Sequence, residues 1–100
     1  MIKDVFEGDN SWKFLFERVL EKNFKKGKYT VLQQDEDSII VSIDTNDISF
    51  TFFLYKIKED PDYAEVWYQI KGEKEPEYLY SVNIYEMTMA GVLEDILASI

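Results

Sequence analysis

The side chains that most often do chemistry in proteins are scarce in this sequence. It has no histidine and no cysteine, which removes the commonest general base, the imidazole and thiolate metal ligands and the thiol nucleophile. Twenty carboxylates remain, and their densest stretch is Asp35, Glu36 and Asp37 in QQDEDS, between the apolar runs YTVL and IIVSI. Such acids can work as a pair on a glycosidic bond, ligate a hard cation, draw in a basic partner, or keep a tight turn in water. The first two uses need carboxylates fixed in a shielded geometry. Here the core-facing positions of each apolar run are apolar, and the acids fall in the turns between runs.

Other chemical signatures are missing as well. The serines at 11, 38, 42, 49, 81 and 99 lie in no GxSxG context, and without histidine a serine nucleophile needs a lysine or carboxylate base beside it. The glycines at 8, 27, 72 and 91 are too far apart to build a phosphate-cradling loop. The segment DTND, 44–47, lacks the later ligands and the glycine of an EF-hand loop. Lysines 22, 25, 26 and 28 surround Phe24 and resemble a nucleic-acid patch, but cations in the last turn of a helix complement its dipole. The expectation is a chain that is not an enzyme, with no catalytic residue, no cofactor, no metal site and no direct nucleic-acid binding.

What must position these residues is one domain spanning 1–100, since a chain of 100 residues has no room for a second core. Apolar residues make up 46% of it and aromatics 16%, enough to favour folding despite the charge. MIKDVFEGDN intersperses charge too often for a secretory core, and the longest aromatic and aliphatic run is Phe52 to Tyr55. Those features suggest a soluble cytoplasmic protein with no membrane partner.

From Ser11, SWKFLFERVLEKNF places Trp12, Leu15, Phe16, Val19, Leu20 and Phe24 on one stripe at helical spacing, which predicts a helix over 11–25. The period then changes to two. YTVLQQ, SIIVSID, DISFTFFLYKIK and AEVWYQIK are β-branched and aromatic runs separated by polar turns, and a short run YLYSV follows Pro76. A phase flip in the third run suggests a β-bulge near Phe52 and Phe53, or a strand buried on both faces. Asn83 and Glu86 have capping-box spacing ahead of a closing helix whose apolar face carries Tyr85, Met89, Val92, Leu93, Ile96, Leu97 and Ile100. The fold class is therefore α+β: an antiparallel meander of four to five strands, with an N-terminal and a C-terminal helix packed on one face, in the order α-β-β-β-β-(β)-α.

Charge is uneven along the chain. Residues 1–28 sum to +2 and residues 29–100 to −11, for a net of −9. In a meander the first and third turns share an end, so Asp35, Glu36 and Asp37 should lie near Glu59, Asp60 and Asp62, with Glu86 beside them. Lys56 and Lys58 alone offset these seven acids. The opposite end collects Asp44, Asp47, Glu73, Glu75 and Glu77 with lysines 25, 26, 28, 71 and 74 and is close to neutral.

Two aromatics stand off the expected core. Trp67 shares parity with Glu65, Gln69 and Lys71, and Phe14 lies opposite the helix stripe. Either is a natural anchor for a partner, unless MIKDVF covers Phe14 and a lysine stem covers Trp67.

The leading expectation is a non-enzymatic interaction module that docks an acidic rim and exposed aromatics on a basic protein, such as a nucleic-acid-processing enzyme whose groove is already positive. Small acidic inhibitors of phage or mobile-element type, immunity proteins and nucleic-acid mimics share these physical properties. The alternatives are a subunit that forms a homo-oligomer through its aromatics, and a small-ligand pocket between sheet and helices lined by Tyr55, Tyr68 and Tyr80. Either a monomer or a homodimer fits the composition.

Overall fold

Period-two patterning between residues 27 and 83 becomes five consecutive strands in the structure, a computed structural model that describes all 100 residues. These are β1 (Gly27–Gln34), β2 (Ser38–Thr45), β3 (Ser49–Ile57), β4 (Asp60–Ile70) and β5 (Glu77–Asn83). They form one antiparallel sheet in the order β1-β2-β3-β4-β5. Two N-terminal helices, α1 (Ile2–Phe6) and α2 (Ser11–Asn23), precede the sheet, and α3 (Met89–Ser99) follows it. The α+β meander expected from the sequence is the observed architecture, with all five strands present.

Residues facing one another across the strands explain the core. One inward row runs Val31, Val41, Phe52, Tyr68, and the next runs Gln34, Ile39, Leu54, Val66, Tyr80. Helices α2 and α3 lie on this inner side, where Trp12, Phe16, Val19 and Leu20 meet Val92, Leu93 and Ile96 in a single buried cluster. Phe16 is its pivot, edge-on to Trp12 at 5.9 Å and to Tyr29 at 5.2 Å between ring centroids, and 5.7 Å from Phe52. Each such side chain contributes about 1.5–3 kcal/mol when removed from water.

Local details depart from the sequence expectations, each for a visible reason. Helix α2 stops at Asn23 rather than near residue 25, because Phe24 is already extended (φ −137°, ψ 140°) and Gly27 opens β1. Of the α2 stripe, Leu15 is exposed and Phe24 half-buried. The closing helix starts at Met89, not after Asn83. Asn83 Oδ1 accepts the Tyr85 N–H at 2.9 Å, and the segment after it is held by α1, whose Lys3 and Ile2 amides donate to the Ile84 and Met87 carbonyls. Thr88 is the actual cap, its Oγ1 accepting the Gly91 amide at 3.0 Å. Tyr85 and Ile100 are accordingly exposed instead of lining the helix's buried face.

No bulge interrupts Phe52 and Phe53. Register is continuous there and shifts at Val31/Gln33, Lys56/Ile57 and Val66/Trp67 instead. Phe53 and Tyr55 simply occupy the outer face. The β1 bulge leaves Leu32 unpaired and 60% exposed, and it turns Gln34 inward so that its Nε2 donates to the Val5 carbonyl at 2.6 Å.

Candidate functional site

QQDEDS is a hairpin tip in which part of the charge is already engaged. Asp35 Oδ1 accepts the amides of Asp37 (2.9 Å) and Ser38 (2.8 Å) and the Ser38 hydroxyl (3.1 Å), and Oδ2 accepts from Gln33 Nε2 at 3.2 Å. These bonds, the Asp37 amide first, hold its carboxyl below the usual carboxylate range. Asp35 is therefore a turn-former. Glu36 and Asp37 keep their carboxylates free, while the Asp37 carbonyl accepts the Lys56 amide at 2.8 Å and ties the tip to β3.

That tie begins the assembly of an acidic pole. The β3–β4 turn carries Glu59 with Asp60 and Asp62 just after it, and the Asp62 carbonyl accepts the Ile84 amide at 2.9 Å, which brings the segment bearing Glu86 to the same end. Strand pairing and these bonds bring the segments that carry the seven expected acids to one end. Helix α1 adds Asp4 and Glu7, a contribution the sequence reading missed because MIKDVF is too short to show a helical period. Glu7 stands across a groove of about 320 Å³ from Asp35 and Glu36.

Cations do little to neutralise the pole. The ion pairs present are the N-terminal ammonium with Asp4 (3.6 Å) and Lys3 with Glu7 (3.9 Å), and neither involves the seven. The Lys56 ammonium lies over the Phe6 ring at 5.1 Å and that of Lys3 over Tyr85 at 5.5 Å. At the opposite end a groove of about 670 Å³ mixes Glu17 and Glu21 with Lys25, Lys26 and Lys28.

The outer sheet face has no helix upon it. Across it runs the row Ile40, Phe53, Trp67, Tyr78, and beside that the row Ser38, Tyr55, Glu65, Ser81. Phe53 stacks on Tyr55 (6.1 Å, 13°), and Trp67 meets Tyr78 edge-on at 5.3 Å. Trp67 thus faces outward, half-buried by its aromatic neighbours rather than by a lysine stem, with its Nε1 donating to Glu65 Oε2 at 3.1 Å. Phe53, Tyr55, Tyr63 and Tyr78 belong to this surface; from the sequence, Phe53 was expected at a bulge and Tyr55 in an inner pocket, and Tyr63 and Tyr78 were not singled out. Their signal was the phase flip in β3, which records aromatics on both faces.

Phe14 is 61% exposed and uncovered by MIKDVF, with the Arg18 guanidinium 5.6 Å from its ring. It lies on the solvent side of α2, across the molecule from Trp67, so the two anchors cannot share one interface. Nor do Tyr55, Tyr68 and Tyr80 line a common cavity. Tyr55 is on the outer face, while the other two face inward and donate their hydroxyls to Glu77 and Asp95. No helix is long and apolar enough to cross a membrane, and no cluster of metal-ligating side chains is present. Compared with family models, curated proteins and solved structures, the chain matches none.

Proposed function

We propose that this chain is a non-enzymatic interaction module of inhibitor or immunity type, which docks its acidic pole on a basic protein surface. The observation that carries the reading is that three separate segments bring seven carboxylates to one end, with no ammonium or guanidinium paired to any of them. Exposed like charges on neighbouring turns repel one another, so a partner that supplies cations relieves a cost already present in the free protein. A nucleic-acid-processing enzyme fits that role, since its own groove is built to receive phosphate.

The test is the triple variant E36Q/D37N/E59Q, which leaves Asp35 to hold its turn. Affinity capture from host lysate at two salt concentrations should be weaker with the variant and less sensitive to salt, at a nearly unchanged melting temperature. Unchanged capture would move the assignment to self-association through the uncovered aromatic face. Size-exclusion chromatography with light scattering measures that alternative directly.

A further inference from the structure

Glu65 occupies an unusual place on the outer face. Tyr63 and Trp67 flank it along β4, Tyr55 is its neighbour on β3, and Ser81 is its neighbour on β5. The Ser81 hydroxyl shares a 2.7 Å hydrogen bond with the hydroxyl of Tyr78. Its Oε2 takes the Trp67 indole N–H, and no basic side chain pairs with either oxygen. Along β4 the next outward-facing basic position is Lys71, six residues on and about 20 Å away. A half-buried carboxylate thus sits among four aromatic rings with no basic side chain paired to it.

We infer that Glu65 and the rings of Tyr55, Tyr63, Trp67 and Tyr78 form a seat for an arginine side chain of a basic protein partner. The inference rests on the basic-partner reading above and adds where, and through which side chain, that partner is gripped. A guanidinium is planar, stacks on tyrosine and tryptophan faces and donates paired N–H bonds to a carboxylate, whereas an ammonium is compact and holds its hydration more tightly. Tyr63 directly follows Asp62, so the seat continues from the acidic pole along β4. A basic segment steered to the pole reaches it without crossing another surface. Two other occupants fit worse. A second copy laid on this face would bury Glu65 unpaired in a complex whose halves each carry −9, and nucleic acid would meet the carboxylate with phosphate.

The probe is a nine-residue Gly/Ser peptide bearing three arginines, with its three-lysine counterpart, titrated into the full chain and followed by the indole N–H resonances. Trp12 is buried under the helices and serves as the internal control. The arginine peptide should move the Trp67 signal and not that of Trp12, and bind about threefold tighter than the lysine peptide. E65Q, which keeps an acceptor for the indole, should retain its melting temperature, lose about fivefold in arginine-peptide affinity and abolish the preference. E36Q/D37N/E59Q should weaken both peptides alike and keep the preference. An unmoved Trp67 signal, equal affinity for the two peptides, or an indifferent E65Q would overturn the seat. So would Trp67 shifts that depend on protein concentration without peptide. A loss confined to E36Q/D37N/E59Q would uphold the acidic pole while removing the seat, and a loss confined to E65Q would do the reverse.

Discussion

Phe52 and Phe53 are consecutive residues of one strand with opposite employment. Phe52 is fully buried against Phe16 and the helices, whereas Phe53 points outward, half-exposed, stacked on Tyr55 and next to Trp67. The two sheet faces are both aromatic, so hydrophobicity does not distinguish them. Coverage does. The inner face has α2 and α3 to bury it, and the outer face has only its own cross-strand contacts.

That contrast is most easily broken by truncation. F52A should lose about 3–5 kcal/mol in urea unfolding, since it opens a cavity in a packed core. F53A should lose only about 1 kcal/mol, the scale of a cross-strand pair on an open face. Equal losses would mean that the outer face is structural core in its own right.

A smaller effect sharpens the inner side. Tyr80 has its pKa raised by burial and then by its hydrogen bond to Asp95. The phenol stays protonated in the fold after the unfolded chain has begun to ionise near 10.0, so its stabilisation is intact below that pH and is lost as pH rises toward the higher folded value. Y80F should cost about 1 kcal/mol at neutral pH through the lost hydrogen bond. It should also flatten the alkaline decline in melting temperature above pH 10.

The smallest expected change is at the tip joining β1 to β2. The depressed pKa of Asp35 stabilises the fold above its ordinary value of 3.8, and that contribution disappears as pH falls through the lower folded value. D35N preserves an acceptor for the turn amides and removes the charge. Its melting temperature should therefore lie slightly below the parent's above about pH 5, and the gap should close as pH falls below 3.8.

Legibility in the sequence followed the length of each pattern. Five strands and two long helices each carry several periods of apolar spacing, so their existence and the meander order were legible, while the ends of α2, α3 and β4 were not. Helix α1 spans only five residues and is set by its bonds to Ile84 and Met87, which are more than eighty residues away in the chain. The same bonds hold residues 84–87 in a non-helical segment, so α3 starts at Met89 rather than at the cap the Asn83 and Glu86 spacing predicts. For Glu65 the sequence showed only that it shares a face with Trp67, because its neighbours on β3 and β5 are brought to it by register.

By itself the sequence determined the fold class, the strand order and the end of the molecule where negative charge collects. Those follow from local periodicity and from the alternation of turns in a meander. Tertiary structure alone decided which acids remain free, which aromatic face stays uncovered and what surrounds Glu65. Each of those depends on hydrogen bonds and strand pairings between residues far apart in the chain, and no spacing within a single segment encodes them.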